Sequence, residues 1–174
     1  MKKWNSALSW KRILLDGSIL NSTVGGLFLS SYLINIEMWV EDYPPDIKEA
    51  FGPQSKKAQT QGAIVAILSM SILVIGVILS NRKLRQDNGG TLTFKEAFSH
   101  GYALLLFFWL FDLTIIDWLF FVTFTPQFMV LPGTEGMAGY SDYGFHLTKS
   151  LPALLYFAIP ALIIAFFMSN RPTT

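Results

Sequence analysis

The sequence predicts an all-α membrane protein: a four-helix transmembrane bundle, both termini cytoplasmic, with a glycine-rich outer loop between the third and fourth helices. Three observations predict it. Only 14% of the 174 residues are charged and 52% are hydrophobic, with a mean hydropathy of +0.42; soluble domains average about 25% charged. Four windows approach the roughly 20 apolar residues that a spanning helix needs, at about Ile13 to Asn35, Gly62 to Ser80, Ser99 to Phe124 and Leu151 to Met168. The lysines and arginines between them are unevenly divided, nine on one side and four on the other, and the richer side is cytoplasmic by the positive-inside rule. The whole chain, 1–174, reads as a single integral membrane domain in the cell membrane.

The first window follows Lys2, Lys3, Lys11 and Arg12 and is interrupted by Asp16 and Asn21. It lacks a convincing small-residue cleavage site, so it reads as an uncleaved span and not as a secretory signal. Trp4 and Trp10 fall at its inner end and Trp39 beyond its outer end, where amphipathic rings are enriched. Arg12 and Asp16 are spaced i, i+4, which predicts a local ion pair; a cluster that includes His100 is the alternative. Ser22, Gly26 and Ser30 recur every four residues. Such a stripe predicts helix packing within the bundle, with a homo-oligomer contact as the alternative.

The first outer loop, EDYPPDIKEAFGPQSKK, predicts a short helix from Pro45 to Phe51. Proline suits its first position, Asp46 and Glu49 its positive end, and Gly52-Pro53 its stop. Ile47 and Phe51, at i, i+4, would dock on the bundle or the membrane surface. The second span carries no charge. In the fourth, Ala158, Ala161 and Ala165 predict a packing face, and Pro160 withholds a hydrogen bond from the carbonyl of Tyr156.

The third span, YALLLFFWLFDLTIIDWLFFVTF, holds Asp112 and Asp117. Insertion of one aspartate at the centre of a spanning helix costs about 2.5–3.5 kcal/mol, so an intramembrane acid points to a functional site. In an α-helix, five residues rotate the chain by about 140°, so the two carboxylates are expected on different faces. Trp109, Thr114 and Trp118 are nearby donors. The loop that follows, from Thr125 to Ser150, supplies Glu135, Tyr140, Asp142, Tyr143 and His146 among four glycines. Folded back over the outer mouth, it would bring His146 and Glu135 to Asp117. Asp112, Asp117 and His146 are therefore the candidate catalytic residues. Trp109, Trp118, Glu135, Tyr140, Asp142 and Tyr143 are the candidate ligand-binding residues.

The sequence also excludes classes. There is no cysteine, which removes thiolate nucleophiles, iron–sulfur clusters and cysteine-held zinc. His100 and His146 lie at opposite ends of one span, about 30 Å apart, so they cannot share a haem. No phosphate-binding loop, zinc helix or nucleophile elbow is present, and no spacing is specific for a metal. No cofactor is expected. A net charge of +1 without basic–aromatic interleaving argues against nucleic acid.

The strings DLTIIDWL, LPGTEG and YSDYGFH, with YPPDI in the first outer loop, resemble a pattern in a family of small, uncharacterised bacterial integral membrane proteins. The resemblance covers the second half of the chain and one loop. It implies a polytopic bacterial membrane protein and no particular activity.

Three functions remain open. The first is an outward-facing polar pocket around Asp117 and Asp112 that binds or acts on a hydrophobic or lipid-like small molecule; desolvation lets a buried acid serve in proton transfer. The second is a non-catalytic accessory subunit. The third is a proton-coupled transporter or channel subunit. Expected partners are the lipid bilayer, a hydrophobic small molecule and, through the small-residue stripe, further copies of the chain.

Overall fold

The computed structural model describes residues 9–169. The chain is all-α, with no strand among the described residues. Helix α1 spans Trp10–Ile34, α2 Pro45–Phe51, α3 Lys56–Asp87, α4 Phe94–Phe111 and α5 Tyr143–Met168. Helix α4 continues directly into a π-helix, Asp112–Phe124. Short 3-10 turns at Ile36–Asp42, Gln127–Met129 and Ala138–Ser141 shape the loops. Four helices, α1, α3, α4 with its π extension and α5, are long and apolar enough to cross a membrane. Their surfaces agree with that: Leu155 is 76% exposed and Phe167 79%, a burden that lipid relieves and water does not. Lys2, Lys3, Trp4 and Arg171 lie outside the described residues.

Two helices run past their apolar windows. Helix α3 includes the flanks Lys56–Gln61 and Asn81–Asp87, where Lys, Gln, Ala, Leu and Arg are good helix formers. Helix α5 begins at Tyr143 instead of Leu151 because Asp142 caps it, its carboxylate accepting the Phe145 N–H at 2.8 Å. The long loop is shortened accordingly, and both Pro152 and Pro160 fall inside the helix. The predicted short helix is α2.

Residue contacts divide the chain into two compact units. The first comprises the described residues up to Ser22, Ile72–Leu110 and the described residues from Pro152 onward. Glycines allow its helices to approach: a Cβ at Gly17 would strike the Phe107 ring, at Gly76 the Leu20 side chain and at Gly101 Val77. Ala161 and Ala165 are fully buried, as the alanine stripe predicts. Phe108 meets Phe157 edge-on at 6.2 Å, and the Tyr102 hydroxyl donates to the Leu154 carbonyl at 2.8 Å.

The second unit comprises Thr23–Ser71 and Phe111–Leu151. Its core gathers Tyr32, Val40, Tyr43, Ile47, Phe121, Val122, Met129, Leu131 and Tyr140. Ile47 docks into this core, and Phe51 packs against it. The two loops are tied together by polar contacts. The Tyr43 hydroxyl donates to the Met129 carbonyl at 2.8 Å, and Asp46 accepts the Gly139 N–H at 2.9 Å. The Tyr140 hydroxyl accepts the Leu131 N–H at 2.9 Å and pairs with Thr134 at 2.7 Å. Burial, reinforced by Tyr140 and Asp42, holds the Tyr43 hydroxyl far above its ordinary pKa; burial also raises that of Tyr140.

The Ser22–Gly26–Ser30 stripe is not packed against the described residues. All three residues are exposed, and no atom lies within 4 Å of a Cβ built at Gly26. The packed glycine is its neighbour Gly25, where a Cβ would come within 2.8 Å of the Phe111 ring.

Candidate binding cavity

The second unit holds a cavity of about 240 Å³ lined by Phe28, Tyr32, Trp39, Asp42, Asp112, Ile116, Asp117, His146, Lys149 and Ser150. Both intramembrane aspartates line it. The expectation that they face different ways assumed an α-helix, and from Asp112 onward the backbone is a π-helix. Its hydrogen bonds run from residue i to i+5, as in Thr125 N–H to the Phe120 carbonyl at 3.0 Å. This wider turn carries residues five apart a little past one full turn, so they lie on the same side of the helix. The spacing that separates Asp112 from Asp117 by about 140° in an α-helix here brings both to one cavity.

His146 stands in the first turns of α5, 5% exposed, its Nδ1 3.4 Å from Asp117 Oδ1. That is longer than the roughly 2.7–3.2 Å of a good hydrogen bond, so the contact orients the ring loosely. Phe121 supports the ring at 4.7 Å. The other nitrogen, Nε2, is buried without a hydrogen-bond partner. Lys149 is held by the Glu41 carbonyl at 2.5 Å and Asp42 at 2.8 Å. Asp112 has neither a hydrogen bond nor an ion pair to any of the described residues. The aromatic wall is itself packed: Trp39 stacks on Tyr32 at 5.2 Å and meets Phe28 edge-on at 5.1 Å, and its Nε1 donates to Ser31 at 2.9 Å.

The other predicted site residues are elsewhere. Glu135 does not reach Asp117. It is exposed and accepts the Gly133 N–H at 3.2 Å in a turn where Gly133 and Gly136 take positive φ, 82° and 76°. Tyr140 is a core residue, 4% exposed. Asp142 is the α5 cap. Trp118 and Tyr143 do not line the cavity but join the π-helix to the start of α5: Trp118 Nε1 donates to the Tyr143 carbonyl at 3.2 Å, and the Tyr143 hydroxyl meets Thr123 at 2.9 Å. Trp109 belongs to the first unit and does not line the cavity. Among the described residues no three His, Asp or Glu side chains are grouped to hold a metal ion.

Sequence reasoning missed Tyr32, Trp39, Asp42 and Lys149. Trp39 read as an interfacial anchor, and Lys149 as a loop charge. The signal for Lys149 was its i, i+3 spacing from His146, which places both on one face of a helix that starts at Tyr143.

The first unit has a polar cluster of its own. Ser80 donates to Asp16 at 2.7 Å and meets His100 Nε2 at 2.9 Å. Lys83 reaches Asp16 at 3.3 Å. Arg12 is 3.8 Å from Asp16 but binds Asp87 more closely, at 2.5 Å. The expected local pair is therefore the weaker of the two contacts, and His100 joins through Ser80. The carboxylate contacts the hydroxyl directly, so it does not orient the imidazole as a hydrolytic triad requires. Ser80 is 1% exposed and His100 fully buried, which closes the group to substrate.

No known protein family, curated protein or solved structure matches this chain. In the cavity of the second unit its intramembrane acids meet an imidazole. Two carboxylates and an imidazole can exchange protons or bind donors there. The rings offer an apolar face, and the volume falls just below the roughly 300–1,000 Å³ of drug-sized pockets. That size suits a small molecule or the headgroup of a larger one.

Proposed function

We propose that this chain is a multi-pass membrane protein whose cavity binds a small, lipid-like molecule, holding its polar end at Asp112, Asp117 and His146. The observation that carries the reading is the π-helix, which turns both acids into one cavity faced by aromatic rings. A purely structural role gives little reason for two such acids, because interhelical hydrogen bonds in membranes average only about 0.6 kcal/mol. The division of lysines and arginines supports cytoplasmic termini, and with them a cavity on the opposite side of the membrane.

Native mass spectrometry of gently solubilised wild type and Asp117→Asn tests this. Wild type is expected to carry a discrete small molecule or lipid that the variant loses. A ligand-free protein, unchanged by the substitution, would instead favour an accessory role. A second reading, a proton-coupled subunit, draws on the first unit, where Asn21, Asn81 and His100 each bury a polar atom without a hydrogen-bond partner. Such atoms are sites for internal water, and water conducts protons. Proton flux in vesicles that is lost in His100→Phe would favour it.

A further inference from the structure

One acid of the cavity wall is left without a basic partner among the described residues, and that acid defines the ligand. Asp42 is matched by Lys149 at 2.8 Å, and Asp117 faces His146 at 3.4 Å. Asp112 has no counterpart among the described residues. Resting on the binding role proposed above, we infer that the cavity takes an ammonium group bearing N–H donors, an amine either free in water or carried as the headgroup of a lipid.

Three features point to that chemistry. The unmatched Asp112 carboxylate, when ionised, only accepts hydrogen bonds and attracts a cation. Trp39 and Tyr32 line the same space, and aromatic faces, tryptophan best of all, attract cations. Asp117 supplies the third. Its Oδ1 stands 3.4 Å from His146 Nδ1, longer than a good hydrogen bond, so this carboxylate keeps acceptor capacity for a ligand. N–H donors satisfy both carboxylates; a quaternary ammonium, with no N–H, satisfies neither.

Binding is read from tryptophan fluorescence of the full chain in a neutral maltoside detergent, with Trp39→Phe identifying the reporter among the five tryptophans. Butylammonium is expected to give a saturable change at constant ionic strength. Tetramethylammonium and 1-pentanol, the N–H-free cation and the neutral analogue, are expected to bind at least tenfold more weakly. Asp112→Asn should weaken butylammonium at least tenfold, and Asp112→Glu, which keeps the charge, should restore most of the binding. Lysophosphatidylethanolamine tighter than butylammonium, with lysophosphatidylglycerol inactive, assigns the amine to a lipid; the reverse order assigns it to a soluble molecule. Pentanol equal to butylammonium, or butylammonium indifferent to Asp112→Asn in a monodisperse protein, overturns the ammonium assignment and leaves the cavity as a binding site. No response to any probe, charged or neutral, overturns the binding role as well.

Discussion

Replacing Tyr43 by Phe removes one oxygen and tests how the two loops are held together. Tyr43 and Met129 are both fully buried, and the hydroxyl donates to the Met129 carbonyl at 2.8 Å across 86 residues of sequence. The ring stays in place against Phe121, which it meets at 5.0 Å. What is lost is the donor to a buried carbonyl, a loss of about 1–3 kcal/mol. A second consequence appears at alkaline pH. An unfolded tyrosine ionises near pH 10, whereas burial raises the folded value of Tyr43 well above that. The folded state keeps a proton that the unfolded chain releases, so the stability is present below about pH 10 and is lost as pH rises beyond it, at about 1.4 kcal/mol per pH unit. Tyr140, 4% exposed and shifted the same way, adds to the slope. The assay is unfolding in neutral detergent followed by tryptophan fluorescence, at neutral pH and above about pH 10. Tyr43→Phe should be less stable at neutral pH and lose stability less steeply in alkali. A variant within about 0.5 kcal/mol of wild type, the range of an inert surface change, and with an unchanged alkaline slope would refute the reasoning.

Neighbouring glycines in α1 should respond in opposite ways. Gly25→Ala places a methyl within 2.8 Å of the Phe111 ring and should cost about 1–3 kcal/mol, whereas Gly26→Ala meets nothing within 4 Å and should be neutral or stabilising by up to about 1 kcal/mol, as thermal unfolding would show. Ser80→Ala removes the hydroxyl that joins Asp16 to His100, and should lower stability in the same assay by about 1–3 kcal/mol for each group left unsatisfied. Asp142→Ala removes the cap of α5 and should cost about 0.5–2 kcal/mol, with faster amide exchange in the first turn of that helix.

The spans were legible because a membrane imposes length and apolarity on a helix, and both can be read from composition. The short helix Pro45–Phe51 was legible from Pro45, Asp46 and Gly52, whose chemistry is local. The start of α5 was not: Leu151 opens the apolar run, but the cap is at Asp142, in a segment whose glycines suggest a loop. The π-helix was hidden for a different reason. Asp112–Phe124 is apolar on nearly every face, so no hydrophobic stripe distinguishes one helical period from another. The only sequence trace is the spacing of five between its two acids, which read as separation under α-helical geometry. The partners of the site were hidden because they come from distant segments. Tyr32 and Trp39 reach the cavity from α1 and the turn after it, and neither carries a charge that would single it out.

The shared cavity is tested most directly by cysteine labelling, because the native chain has no cysteine. Asp112→Cys and Asp117→Cys would each be treated, in membranes, with a charged thiol reagent that does not enter lipid. Leu155→Cys, at a 76% exposed position in α5, is the lipid-facing control. Both aspartate variants should react while the control does not, since both positions line one polar cavity. Reaction at only one of the two, as an α-helix through this segment requires, would contradict the account.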